Sequence, residues 1–222
     1  MTSMMHPTLR SPSILGAVSV STCPPGFFSL SSLRAMQRHP TYINGERFGA
    51  DIESTAGTFW LYGTAVEHHV FYQYQLSGTT NIVMGQIQTE TPYYQPTPNA
   101  ESPFPVVSSL NDPNFASSCS GVSGNCAAAW AFRVINSSNI LVYGAGTYSF
   151  FSEYSTTCST FSAGETCQAR INSLEGTISN VNIYNLNTIG AQSMLNNNGA
   201  QVAYYNDNVN VFPSCVAVYK SG

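Results

Sequence analysis

"SGTTNIVMGQI" (77–87), "NSSNILVYGAG" (136–146) and "TISNVNIYNLN" (177–187) share one pattern. Each is a polar turn, then an asparagine, then Ile or Val opening an apolar strand. The asparagines are Asn81, Asn139 and Asn180, separated by 58 and then 41 residues. A recurring unit of uneven period fits successive coils of a solenoid that carry loops of different length. An asparagine can adopt the left-handed conformation such a corner needs, or bond its own backbone. A β-sandwich with similar strands would show the same local pattern, so both architectures stay open at this point.

Around this repeat the chain is short strands and turns. "TAVEHHVFYQYQL" (64–76) alternates. Read as one strand, it puts Val66, Val70, Tyr72, Tyr74 and Leu76 on one face and Glu67, His69, Gln73 and Gln75 on the other. In "NIVMGQIQTE" (81–90) the same reading groups Gln86, Gln88 and Glu90 against Val83 and Ile87. No long segment has a 3.6-residue period, so little helix is expected. Residues 1–48 differ. They hold two of the four histidines and four of the seven basic residues, with prolines at 7, 12, 24, 25 and 40. We expect an irregular segment there and a β-domain over 49–222. "ILGAVSV" (14–20) is too short and too polar for a convincing signal peptide.

Only 8% of the 222 residues are charged, against a usual ~25%, and the net charge is −4. Asn, Ser, Thr, Gln and Tyr supply the polarity instead. Such a neutral, hydrogen-bonding surface suits sugar and argues against nucleic acid. No apolar run approaches a membrane helix. Cys119/Cys126 and Cys158/Cys167 each bracket a short loop and read as two local disulfides, hence an oxidising compartment. Their spacing is not that of a metal site, and no metal or other cofactor is expected. Asn136 opens an N-glycosylation triplet, "NSS".

Glu67 and Glu90 are 23 positions apart, about one coil of a parallel β-helix, whose strands stack about 4.8 Å apart. Both fall on polar strand faces. Two carboxyls at that range do not both ionise freely, so one keeps its proton and can act as a general acid. Glycoside hydrolysis needs such a pair. Gln88 and His69 flank it, and Tyr93 in "QTETPYYQP" offers an aromatic edge for a sugar ring. Trp130 in "CAAAWAF" is a second candidate platform, with a core tryptophan as the alternative reading. His68 and His69, adjacent in a strand, face opposite ways and cannot share a metal.

"GTFWLYGTAVEHHVFYQYQL", "NIVMGQIQTETPYYQP", "AWAFRVINSSNILVYGAGTYSFF" and "NVNIYNLNTIGAQSML" resemble the C-terminal part of glycoside hydrolase family 55, over about residues 49–222. These are secreted, largely fungal exo-β-1,3-glucanases. The resemblance implies two tandem right-handed parallel β-helices, with this chain matching later coils of the second. It implies inverting release of glucose from the non-reducing end of a β-1,3-glucan. Glu90 falls on the general acid, Glu67 on a residue orienting the attacking water, and Tyr93 on the substrate pocket. An extracellular monomer is expected. Family members are about three times longer, so the expectation is a fragment of impaired activity, or else a glucan-binding or structural piece.

Overall fold

The computed structural model describes residues 15–21, 47–102, 104–210 and 213–222. Most of the segment 1–48 lies outside these. Within it, however, β1 (Leu15–Ser21) is a strand, paired antiparallel with β3 (Thr58–Glu67). The stretch weighed above as a signal-like core is thus an edge strand.

Two sheets carry the fold. The long sheet runs β1–β3–β5–β7–β10–β13, with β5 (Thr80–Glu90), β7 (Ser138–Tyr148), β10 (Ser179–Ile189) and β13 (Ser214–Lys220). The other runs β12–β11–β9–β6–β4–β2. Its strands are β2 (Ala50–Ile52), β4 (Tyr72–Ser77), β6 (Trp130–Ile135), β9 (Asn172–Glu175), β11 (Ala191–Asn197) and β12 (Ala200–Tyr204), with β8 (Gln168–Arg170) also on β11. From β2 to β11 the chain passes back and forth between the sheets, and all these strands pair in parallel. Among the described strands, β1, β12 and β13 alone join by antiparallel pairing.

The repeat seen in the sequence is a physical stack. Ile82, Ile140 and Val181 lie in register, as do Met84, Val142 and Ile183, and all are buried between the sheets. Tyr74 and Leu76 of β4, Phe132 and Val134 of β6, and Leu174 of β9 close the same core. Fully burying such side chains stabilises by about 1.5–3 kcal/mol each before conformational entropy is set against it. The three asparagines all have positive φ, and their amides form a ladder. Asn139 Nδ2 donates to Asn81 Oδ1 at 3.4 Å and Asn180 Nδ2 to Asn139 Oδ1 at 2.8 Å.

A second line of left-handed residues crosses the long strands halfway, at Gly63, Gln86, Gly144 and Asn185. Each inserts one extra residue into the alternation and shifts its phase. Ile87 is therefore buried while Val83 lies on the outward side with Gln88 and Glu90. A straight period-2 count places Val83 and Ile87 together, and the phase shift at Gln86 separates them.

Strand β3 also ends sooner than the alternation suggested. His68 has φ 66°, and the chain turns there before β4. Both faces of β4 are buried, Gln73 and Gln75 included. Gln75 donates to the Leu110 carbonyl at 3.3 Å and accepts from Arg133. The cover is the loop 91–129, whose Tyr94, Phe104 and Phe115 cluster with Phe71, just before β4. Helix is confined to one short α-turn, α1 (Phe115–Ser118), and four 3-10 turns among the described residues.

Candidate active site

At the C-terminal ends of the long strands, Glu67, Glu90 and Tyr148 are ladder partners on three adjacent strands. The phase shift below them turns all three outward. Glu90 is held from two sides. His68 Nε2 lies 3.2 Å from Glu90 Oε2, and Tyr93 Oη donates to the same oxygen at 3.2 Å. Gln88 Nε2 donates to Glu67 Oε1 at 3.0 Å. The Tyr93 ring packs edge-on to His68 and tilted against Phe151, both at 4.3 Å between centroids. The floor is a run of aromatic surface beside two carboxyls.

Loops wall this corner. After β5 and after β7 the chain leaves the ladder, in residues 91–129 and 149–167, before rejoining the other sheet. Each excursion contains one disulfide, Cys119–Cys126 and Cys158–Cys167, as the spacing indicated. The two loops meet behind Tyr93, where Tyr154 N donates to the Tyr93 carbonyl at 2.8 Å and Glu153 N to that of Gln95 at 3.1 Å. The last coil has no such excursion: only Gly190 separates β10 from β11.

The electrostatics split the pair. Burial, and then the neighbouring Glu90 charge, push the Glu67 carboxyl above the ordinary carboxylate value. Glu90 moves the other way, chiefly because of its hydrogen bond to His68, with Tyr93 adding to it. Tyr93 itself rises to about 12 through burial beside Glu90. The two carboxyls are thus shifted apart, with Glu67 the one moved toward holding a proton and Glu90 the one moved toward staying ionised.

The ligand atoms of Glu67, His68 and Glu90 lie within 4.8 Å of one another, the one trio among the described residues that could chelate a cation. Hydrogen bonds from Gln88, His68 and Tyr93 already engage the set.

The other expected site residues fall elsewhere. His69 is 1% exposed, and burial, with His68 beside it, pushes its pKa down to about 3. Its backbone is locked to Gln73, so it is a neutral core residue; the histidine at the site is His68. Trp130 is 3% exposed and covered by Arg170 at 4.9 Å, so no face is free for a sugar. Asn136 is exposed on a turn, its side-chain oxygen accepting from Thr177 N at 3.0 Å. Tyr148 and Phe151 were missed. The signal was present: Glu90 to Tyr148 is 58 residues, the same offset as Asn81 to Asn139.

No family model matches the chain. It is 36% identical over 177 residues to a glucan 1,3-beta-glucosidase of Cochliobolus carbonum, covering 78% of this chain and 21% of that protein. It is 37% identical over 174 residues to a "Probable glucan endo-1,3-beta-glucosidase" of Arthroderma benhamiae, covering 78% and 19%. A third relative, the "Non-secreted LysM effector LysM15" of Penicillium expansum, is 38% identical over 174 residues, covering 78% and 11%. The chain therefore spans about a fifth of the length of the first two.

Proposed function

From homology to fungal proteins named as β-1,3-glucosidases over 78% of this chain, we propose that it carries the acid–base corner of a β-1,3-glucan hydrolase. The observation that carries this reading is the in-register pair Glu67 and Glu90, oppositely shifted and floored by Tyr93. The alternation between two parallel sheets fits a right-handed parallel β-helix, whose domain runs over about 49–222. The proposed reaction is inverting removal of glucose from the non-reducing end, by the family resemblance.

In that reaction Glu90 protonates the departing glycosidic oxygen. It sits centrally in the row, between Glu67 and Tyr148, with Tyr93 stacking the sugar and Gln88 positioning Glu67. An inverting pair that activates water directly needs about 6.5–9.5 Å between carboxyls. Glu67 and Glu90 are within 4.8 Å. Glu67 therefore orients the water instead of facing Glu90 across it, and a group outside this pair completes the activation. A second assignment has its own support. Of the two carboxyls, Glu67 is the one whose pKa is raised, by burial and then by the Glu90 charge, and this favours Glu67 as the acid.

A non-catalytic reading, glucan binding only, is favoured by the close carboxyl spacing and by the relative that bears an effector's name. We place the protein outside the cell, as two disulfides suit an oxidising compartment, as a monomer, with Asn136 open to glycosylation.

Laminarin hydrolysis followed by proton NMR tests the proposal. α-Glucose as the first product supports it. β-Glucose rules out inversion, and binding without any reducing-sugar release establishes the non-catalytic reading.

A further inference from the structure

We propose that the outward face of the long sheet, before the left-handed line Gly63–Gln86–Gly144–Asn185, is a second docking surface for a neutral polysaccharide, separate from the carboxylate corner. It rests on the reading above for the identity of that polymer, a β-1,3-glucan.

Four ladder positions define it: Tyr62, Gly85, Tyr143 and Tyr184 on β3, β5, β7 and β10. Tyr62 is 69% exposed, Tyr143 59% and the nearby Trp60 44%. Isolated exposed aromatics are ordinary, but aligned ones are not. Gly85 makes the alignment possible. A Cβ there would stand 2.8 Å from Tyr62 Cδ2, so the bare backbone lets the Tyr62 ring lie down across β5. On the far side Tyr143 and Tyr184 stack at 4.9 Å with planes 19° apart. The row crosses four strands, about 14 Å, which is longer than one pyranose ring.

Beside the rings runs a groove of about 390 Å³, lined by Asn81, Asn139, Asn180 and Asn182 with Val83 and Leu141. The asparagine ladder bonds along itself, yet each exposed amide keeps further donor and acceptor capacity. Among the described residues no charged side chain lines this groove; Lys220 lies over Tyr184 at 5.8 Å beside the row. Flat apolar rings beside neutral amides match the two faces of a sugar polymer, C–H surface and hydroxyl edge. A polyanion would meet almost no countercharge here.

The test is affinity electrophoresis in laminarin gels, with hydrolysis of a β-1,3-linked glucose trisaccharide assayed in parallel. Tyr62→Ala, and the pair Tyr143→Ala with Tyr184→Ala, should each weaken polymer retention about tenfold or more, with trisaccharide cleavage unchanged. Tyr143→Phe and Tyr184→Phe should retain binding, since the ring and not the hydroxyl is used. Gly85→Val, which displaces the Tyr62 ring, should behave like Tyr62→Ala. Alanine variants held as tightly as the parent overturn the proposal and leave the glucanase reading standing. Lost retention in a parent that cleaves nothing supports this surface and removes the catalytic reading. A parent that holds no glucan overturns both, and variants that change self-association in sedimentation, with retention intact, assign the surface to a second copy.

Discussion

His68 grips Glu90 twice: its backbone N–H donates to the Glu90 carbonyl at 2.8 Å, and its imidazole meets the carboxylate at 3.2 Å. The left-handed conformation of His68, φ 66°, makes both contacts compatible. Asparagine tolerates that conformation, so His68→Asn removes the ring while keeping the turn. The Glu90 titration midpoint should then rise, as read by carbon-detected NMR. The sign for stability follows. A depressed folded pKa contributes stability above the unfolded carboxyl value, lost as pH falls through the folded one. His68→Asn should be less stable than the parent at neutral pH, and the difference should close in acid. A gap that persists in acid would mean that His68 acts by packing alone.

Glu67 has the opposite sign. A raised folded pKa means the ionised form costs stability above that value. Glu67→Gln should therefore raise Tm at neutral pH while impairing hydrolysis. A lowered Tm would show that the carboxylate is needed for folding.

The two assignments of the acid separate by leaving group. Loss of the true acid should cut turnover on unactivated glucan by ~10²–10⁴ and spare a substrate with an activated aryl leaving group. We expect this of Glu90→Gln, with Glu67→Gln impaired on both. The reverse pattern assigns the proton donor to Glu67. A chelator should leave either protein's activity unchanged; loss that a divalent ion restores would make the Glu67–His68–Glu90 trio a metal site.

Asn139 sits mid-ladder with φ 53° and bonds to asparagines on both sides. Asn139→Val forces a β-branched residue into that conformation, at about 1–2 kcal/mol beyond the lost bonds. Asn139→Gly loses only the bonds. The valine variant should melt about 2–8 °C below the glycine variant, and equal melting would remove the backbone argument.

Non-reducing peptide mapping should recover the 119–126 and 158–167 pairs and leave Cys215 open to alkylation. Replacing either pair by serines should cost about 2.5 kcal/mol by the chain-entropy model. Removing 158–167 should also reduce kcat/KM, because that loop carries Tyr154 against Tyr93. Unchanged kinetics would detach the loop from the site.

How much of this was legible in the sequence depends on register. Asn81, Asn139 and Asn180 repeat because each coil needs the same corner, and the 58-residue offset from Asn81 to Asn139 also relates Glu90 to Tyr148 in one row. Counting by twos failed wherever a left-handed residue interrupts a strand. His68 and Gln86 are such residues, neither of them glycine, so nothing in the one-letter code announced the phase change. His69 was misplaced for that reason. Trp130 and the face of β4 were hidden by a loop whose path over the sheet is a long-range packing outcome.

Both long excursions leave from the same end of the long strands, and the rungs beneath them stay in register whatever the excursions' length. Such a layout uncouples two kinds of heritable change. Residues can be added or deleted in those parts of 91–129 and 149–167 that lie away from Tyr93 and Tyr154 without moving the ladder that carries Glu67 and Glu90, so the outer rim can vary while the row stays fixed.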